Sequence, residues 1–562
     1  MKKNSIIIGL AVISLLTVGC NTGGLEDESY VYEIDPNTGV TGATGAKGDK
    51  GDKGGYPNDG GGIFAQGGDR FGEFADNPFV KTSQQSVSTF SVDADGASYA
   101  IMRRYKNNGW NIEPASVRIE EFLNYFTFDY ASPNGSETIA INAEVGECPW
   151  NKEHQLLRLG IKGKELKANE TPRANYVFLI DVSGSMNSND KLPLLKTGLS
   201  TLVDQLNVDD RISIITYSGE VEKLLESTPV KDAAKIKSCI SKLSASGCTA
   251  GGQAMQMAYD EALANYDPSY NNRVIMGTDG DFNVGVTSDN ALVEMVENYA
   301  KKGIYMTCLG FGSGNLNDAM MEKISNAGNG TYHYIDCEDE MMKVFVHERE
   351  RFVSVANDSK CQVTFNKDIV SEYRLIGYEN RVMNSEDFED DKKDAGEIGA
   401  GQTITALYEL VIDNGALKHA DANKAFATFD FRYKKSLQSE SQPLQLKLTA
   451  NQITDKNSRS NEYYFAAGVA AYGMILRNSP YKGNADLNLA KKLVKIGLSF
   501  DPHGYRAELL KLMEGENQTG DSTIFFKVHA SEASDTVTYM DVYINSTPPY
   551  VGEGIVTFHL VP

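Results

Sequence analysis

Three oxygen-bearing side chains leave the end of one apolar run. They are Asp181, Ser183 and Ser185 of Asp181-Val182-Ser183-Gly184-Ser185, directly after Tyr176-Val177-Phe178-Leu179-Ile180. A carboxylate and two hydroxyls at alternate positions suit a hard divalent cation such as magnesium, which takes oxygen ligands. Two more oxygens stand where such a site needs them. Thr249 sits in the Gly-rich turn Ser246-Gly247-Cys248-Thr249-Ala250-Gly251-Gly252, and Asp279 follows the run Arg273-Val274-Ile275-Met276. Both carboxylates thus fall at the C-terminal ends of expected strands, where open α/β sheets place their ligands.

The elements that must position these residues alternate strand and helix, which implies a mainly parallel sheet wrapped by helices. Strands are expected over 176–181, 212–216, 274–278 and 304–309, with a short last one at Tyr332-His333-Tyr334-Ile335. Helices are expected near 191–206, 252–265, 291–301 and 316–327.

The five oxygens resemble the metal-ion-dependent adhesion site of the von Willebrand factor type A family, whose pattern is Asp-x-Ser-x-Ser, a distant Thr and an Asp in a Thr-Asp-Gly context. Asp181, Ser183, Ser185, Thr249 and Asp279 fill all five positions. The resemblance implies a Rossmann-like α/β fold and a bound Mg²⁺ (or Mn²⁺ or Ca²⁺). It also implies that the two Ser and the Thr contact the metal directly or through water, while the Asp residues orient the shell from one water away. Neutral hydroxyl ligands leave the metal much of its charge, so a Glu or Asp offered by a partner protein completes the octahedron. Asp281, in Thr278-Asp279-Gly280-Asp281, is read as a neighbour of the site and not a ligand.

Catalysis is not expected. Neither Ser183 nor Ser185 stands in a G-x-S-x-G elbow, His347-Glu348-Arg349-Glu350-Arg351 lacks the second His of a zinc-protease motif, and there is no P-loop.

At 562 residues the chain is expected to form several domains. Lys+Arg 54 against Asp+Glu 76 gives a net charge of −22, which argues against a nucleic-acid phosphate backbone as partner. Lys2 and Lys3 precede the apolar run Ile6 to Val18, too short to span a bilayer, and the run ends at Thr17-Val18-Gly19-Cys20. Residues 1–19 resemble a bacterial lipoprotein signal, with cleavage before Cys20 and lipid on its thiol; Thr17 stands where the common pattern has Leu. An ordinary secretory signal or an uncleaved anchor are the alternatives. Residues 20–87 read as a tether. Within it the triplets GVT-GAT-GAK-GDK-GDK resemble bacterial collagen-like repeats, serving as a flexible spacer or as a short trimerising stalk. The acidic Glu26-Asp27-Glu28 resembles signals that send some Gram-negative lipoproteins to the cell surface, so an outer-membrane lipoprotein is expected, displayed at the surface or else on the periplasmic face. Six further cysteines remain (Cys148, Cys239, Cys248, Cys308, Cys337 and Cys361); Cys308 is read as a buried thiol, and no pairing follows from sequence.

Residues 88–138 resemble an N-terminal domain found in one bacterial subgroup of von Willebrand A proteins. The usual Asp-Val-Asp-Thr-Ala-Ser-Tyr of that subgroup is here Asp93-Ala94-Asp95-Gly96-Ala97-Ser98-Tyr99. The paired carboxylates suggest acid/base work, calcium, or a solvated turn, and the solvated turn is preferred. Alternating β patterns at 139–172 and again at 346–455 read as one β-sandwich, split in sequence by the von Willebrand A domain at 173–345. The sandwich reading expects residues 139–165 to bury Val145 and Leu157 against residues 360–433. A small helical domain follows at 456–516, resembling that of the same subgroup, then a β-patterned tail at 517–562. The whole is expected to be a multidomain α/β plus β protein. Its expected role is lipid-anchored, metal-dependent binding of a partner protein, or scaffolding of a cell-envelope complex through its flanking domains.

Overall fold

The computed structural model describes residues 63–64, 68–167, 169–247, 252–280, 289–393, 395–455, 457–515, 525–530 and 537–543. The signal, Cys20, the Gly-x-x triplets, Cys248, Thr249 and Asp281 lie outside the described residues.

The apolar run ahead of Asp181 forms strand β1 (Ala174–Asp181), all eight of its residues buried. After it come α1 (Leu192–Gln205), β2 (Arg211–Tyr217), β3 (Val221–Pro229), α2 (Ala233–Lys242), α3 (Gly252–Ala264), β4 (Asn271–Thr278), α4 (Asp289–Ala300), β5 (Ile304–Phe311), α5 (Asp318–Ala327) and β6 (Tyr332–Ile335). They build one sheet in the order β6-β5-β4-β1-β2-β3, parallel throughout except for β3. A parallel sheet is covered on both faces, which is why β1 is apolar without a break from Tyr176 to Ile180. Val177 and Leu179 face a core with Ala254, Met255, Leu292 and Ile324. Tyr176, Phe178 and Ile180 face the opposite core with Leu195, Leu199, Ile236 and Phe345. No strand is expected from the sequence at β3, and one forms there. Glu222, Lys223 and Glu226 are exposed on it, as suits the unprotected edge of a sheet, and they break the apolar pattern.

Two antiparallel sheets flank this unit. In one, Val87–Ser91 and Ala425–Lys434 pair on either side of Ser354–Phe365. In the other, Gln155–Gly163 lies between Ile139–Glu147 and Thr403–Ile412. Residues from both sheets share one apolar core, in which Val145 and Leu157 are buried with Phe90, Val363, Tyr408 and Phe429.

A further core joins residues of 99–128 to the helices Asn461–Leu476, Leu487–Ile496 and Tyr505–Gly515. The first of these helices is rich in small residues because its neighbour lies close. A Cβ on Gly468 would stand 2.8 Å from the Val494 backbone nitrogen. Phe525–Ala530 and Val537–Tyr543 pair antiparallel in the tail.

The solvated-turn reading of Asp93 and Asp95 is overturned, since each is only 1% exposed. The Asp-Ala-Asp-Gly string reads locally as a turn, but α5 and the segment around Arg381 cover it. Asp95 Oδ1 accepts from the Tyr332 N–H at 2.7 Å, and Asp93 pairs with Arg381 Nε at 3.2 Å. Buried ion pairs continue across this contact. Arg118 holds Asp318 (Nη1–Oδ2 2.6 Å) and Glu121, while Arg103 holds Asp336, Glu340 (2.7 Å) and Glu508 (3.1 Å). Burial pushes Glu121 up to about 8 despite Arg118 beside it. Burial likewise takes Glu120 to about 8, reinforced by the Glu379 and Asp93 charges.

Among the described residues Cys148, Cys239, Cys308, Cys337 and Cys361 are free thiols, Cys308 fully buried. No described helix is long and apolar enough to cross a membrane.

Candidate metal centre

β1 and β4 are neighbours in register, with Ile180 opposite Gly277, so their C-terminal ends deliver Asp181 and Asp279 side by side. Both carboxylates are fully buried. Asp181 Oδ1 accepts from the Ser183 N–H at 2.8 Å, which fixes the turn leaving the strand, and Oδ2 accepts from Thr278 Oγ1 at 3.0 Å. Ser183 Oγ and Ser185 Oγ stand 3.0 Å apart. The turn after β4 requires its glycine. Gly280 has φ +97°, and a Cβ there would meet the Asn317 backbone nitrogen at 2.5 Å. Four of the five sequence-predicted residues are therefore brought together. Thr249 lies outside the described residues, but the start of its loop is tied to the site. Ser246 N–H donates to the Val182 carbonyl at 2.7 Å, and Gly184 N–H to the Gly247 carbonyl at 3.1 Å.

The two carboxylates are tuned apart. Burial, reinforced by the Asp279 charge, outweighs the hydrogen bonds from Ser183 and Thr278 and takes Asp181 up to about 6. Burial also acts on Asp279, but hydrogen bonds from Lys191 and Ser185 and the ammonium charge outweigh it and hold that carboxyl below its usual range. Lys191 Nζ reaches Asp279 Oδ2 at 2.9 Å, with the lysine only 8% exposed. This lysine is the functional neighbour that sequence reasoning missed. It stands ten residues after Asp181 in an ordinary helix approach, Asp190-Lys191-Leu192-Pro193, with no motif to mark it.

The donor set fits a small hard cation. Adjacent oxygens around an octahedral magnesium at 2.0–2.1 Å stand about 2.8–3.0 Å apart, and the 3.0 Å Ser183–Ser185 spacing lies at the upper end of that range. Asp181 and Asp279 add carboxylate oxygens beside that pair.

Sheet order, strand-end carboxylates and the Ser-x-Ser turn define a class: the family model described as "von Willebrand factor type A domain" matches residues 175–346. A model described as "von Willebrand factor" matches residues 65–158, and one described as "Uncharacterized protein YfbK, C-terminal" matches residues 350–519. The chain is 38% identical over 466 residues to YfbK of Escherichia coli (strain K12), covering 79% of this chain and 80% of that protein. It belongs to the YfbK family. The human inter-alpha-trypsin inhibitor heavy chain H3 is 29% identical over 168 residues, 28% of this chain and 18% of that protein. Among solved structures, the von Willebrand factor type A protein of Catenulispora acidiphila aligns over 68% of this chain and 91% of that one, at 15% identity and a TM-score of 0.41.

Proposed function

We propose that this von Willebrand A protein captures an acidic side chain of a partner protein through a divalent cation held by Asp181, Ser183, Ser185, Thr249 and Asp279. The observation that carries the reading is the 3.0 Å spacing of the two serine hydroxyls beside two buried carboxylates at neighbouring strand ends. The metal, Mg²⁺ or else Mn²⁺ or Ca²⁺, would supply an electrophilic contact for a Glu or Asp. The chain's own part is to hold hydroxyls at ligand spacing and keep water from the carboxylates. In the same proposal Cys20 carries lipid, and the body stands on its tether at the outer membrane. The two antiparallel sheets form one β-sandwich interrupted by the α/β domain, and the helices after 456 close it.

The test is a thermal melt with and without Mg²⁺ or Mn²⁺. Wild-type protein is expected to gain stability as ligand binding to the folded state requires, and Asp181→Ala to lose that gain. No metal-dependent shift in the wild type would sink the reading. For the anchor, Cys20→Ser is expected to leave the membrane fraction, and protease shaving of intact cells distinguishes surface from periplasmic display.

Lys191 supplies a sharper result. Its ammonium lies within the charge field of the proposed ion, so Lys191→Gln removes a repulsion and leaves Asp279 fully available. Magnesium affinity, measured by calorimetry, is expected to rise roughly tenfold or more. Unchanged or weaker binding would mean that the lysine does not face the ion.

A second reading, scaffolding of an envelope complex, is favoured by the buried ion pairs from Arg103 and Arg118, which lock the flanking segments onto the α/β domain. Crosslinking in cells separates the two readings: envelope components as the captured partners favour scaffolding, and external proteins favour adhesion.

A further inference from the structure

Where the N-terminal segment docks on α5, six carboxylates meet two guanidiniums away from water. Asp93, Asp95, Glu120, Glu121, Asp318 and Glu322 are each at most 5% exposed, and Arg118 and Arg381 are the basic partners of all but Glu120. Buried ions need compensating charge and hydrogen bonds, and here two guanidiniums stand against six carboxyl groups. Carboxylate oxygens of Asp93, Glu121 and Glu322 all lie within 4.8 Å of one another. Oxygens on opposite sides of a calcium ion, at 2.3–2.6 Å each, stand about 4.6–5.2 Å apart. The three can therefore share one ion.

An independent observation points the same way. Asp95 Oδ2, on a side chain 1% exposed, has no hydrogen-bond partner. It lies 3.8 Å from Arg381 Nη2, which is itself 4.0 Å from Glu322, so it shares that guanidinium with the cluster. Asn380 Oδ1 is likewise buried and unpartnered, on the amide whose Nδ2 donates to Glu322. A cavity of about 360 Å³ lined by Asp95, Arg381, Asn326 and Lys323 gives an approach from outside. Four carboxylates and one amide oxygen, without sulfur or imidazole, are the ligand chemistry of calcium and not of zinc.

We propose that Asp93, Asp95, Glu121 and Glu322, with Asn380, form a second cation site, which binds calcium and clamps the N-terminal segment to α5. This site is separate from the strand-end centre and does not depend on the reading of that centre.

Calcium itself is the probe, and equilibrium dialysis of the purified full-length chain counts it. Asp181→Ala removes the strand-end ligand and is expected to retain one calcium per chain. Adding Asp95→Asn or Glu322→Gln is expected to reduce that to none. Asp95→Asn keeps an acceptor for the Tyr332 N–H, so folding is spared. In the Asp181→Ala protein, terbium is expected to show emission sensitised by the nearby tyrosines and to be displaced by calcium. No bound calcium and no sensitised emission in Asp181→Ala would overturn the proposal, as would calcium retained undiminished by both added substitutions.

Discussion

Arg118→Met is expected to destabilise the folded protein by about 3–5 kcal/mol, the cost of breaking a buried ion network from one side. The guanidinium is 3% exposed and holds Asp318 in a two-point contact (2.6 and 3.1 Å), Glu121 through Nε, and Glu322 at 3.7 Å. Methionine fills similar volume, so the loss is one of charge and hydrogen bonds, leaving three buried carboxylates without their main partner. Removing the acids as well would be far cheaper, since a fully apolar replacement of such a network is often neutral. Urea unfolding measures the effect, with Arg173→Met as control. Arg173 pairs with Asp209 at an exposed site, and that variant is expected to unfold as wild type does. An Arg118→Met protein as stable as the control would mean that the network does not hold the N-terminal segment in place.

The same region should make the metal-free protein weaken as pH rises from 6.5 to 8.5. Glu120 and Glu121 titrate near about 8 when folded, against an ordinary value of 4.5. Between those values the folded chain keeps protons that the unfolded chain has released. Stability is therefore fully present below 4.5, falls through the window, and levels off above 8. Each group contributes at most about 1.4 kcal/mol per pH unit within it. Burial holds His333 down to about 3, and it acts in the opposite sense, but only below its ordinary 6.5. Melts in EDTA from pH 6.5 upward thus exclude its contribution. Glu120→Gln should reduce the drop, because a neutral amide does not titrate. A flat melting temperature across the window, or a drop unaffected by Glu120→Gln, would show that these acids are ionised in the fold.

The α/β sheet is legible in the sequence because its strands are buried on both faces and so read as unbroken apolar runs, as in Tyr176 to Ile180. The oxygens at the strand ends are equally legible, since Asp181, Ser183 and Ser185 lie within one turn and Asp279 within a fixed motif. What is not legible depends on distant partners. β3 pairs along only one side, so Glu222, Lys223 and Glu226 hide it. Lys191 meets Asp279 across 88 residues, Arg118 meets Asp318 across 200, and Arg381 meets Asp93 across 288. No local pattern carries those pairings. Asp93 and Asp95 mislead for the same reason: a short polar turn looks solvated until an element from elsewhere in the chain covers it.

The α/β domain leaves and rejoins the flanking sheets at neighbouring points. A Cβ on Gly163, just before the domain, would lie 3.1 Å from Val355 Cγ2, just after it. Such closely spaced junctions make a unit easy to transplant, because a foreign domain could be grafted there without spreading the host sheets. The acids on its surface act against this. A graft lacking Asp318, Glu322, Asp336 and Glu340 would strand Arg103 and Arg118 in the interior without most of their counter-charge. The close junction favours exchange, and the buried charge pairs across the contact oppose it.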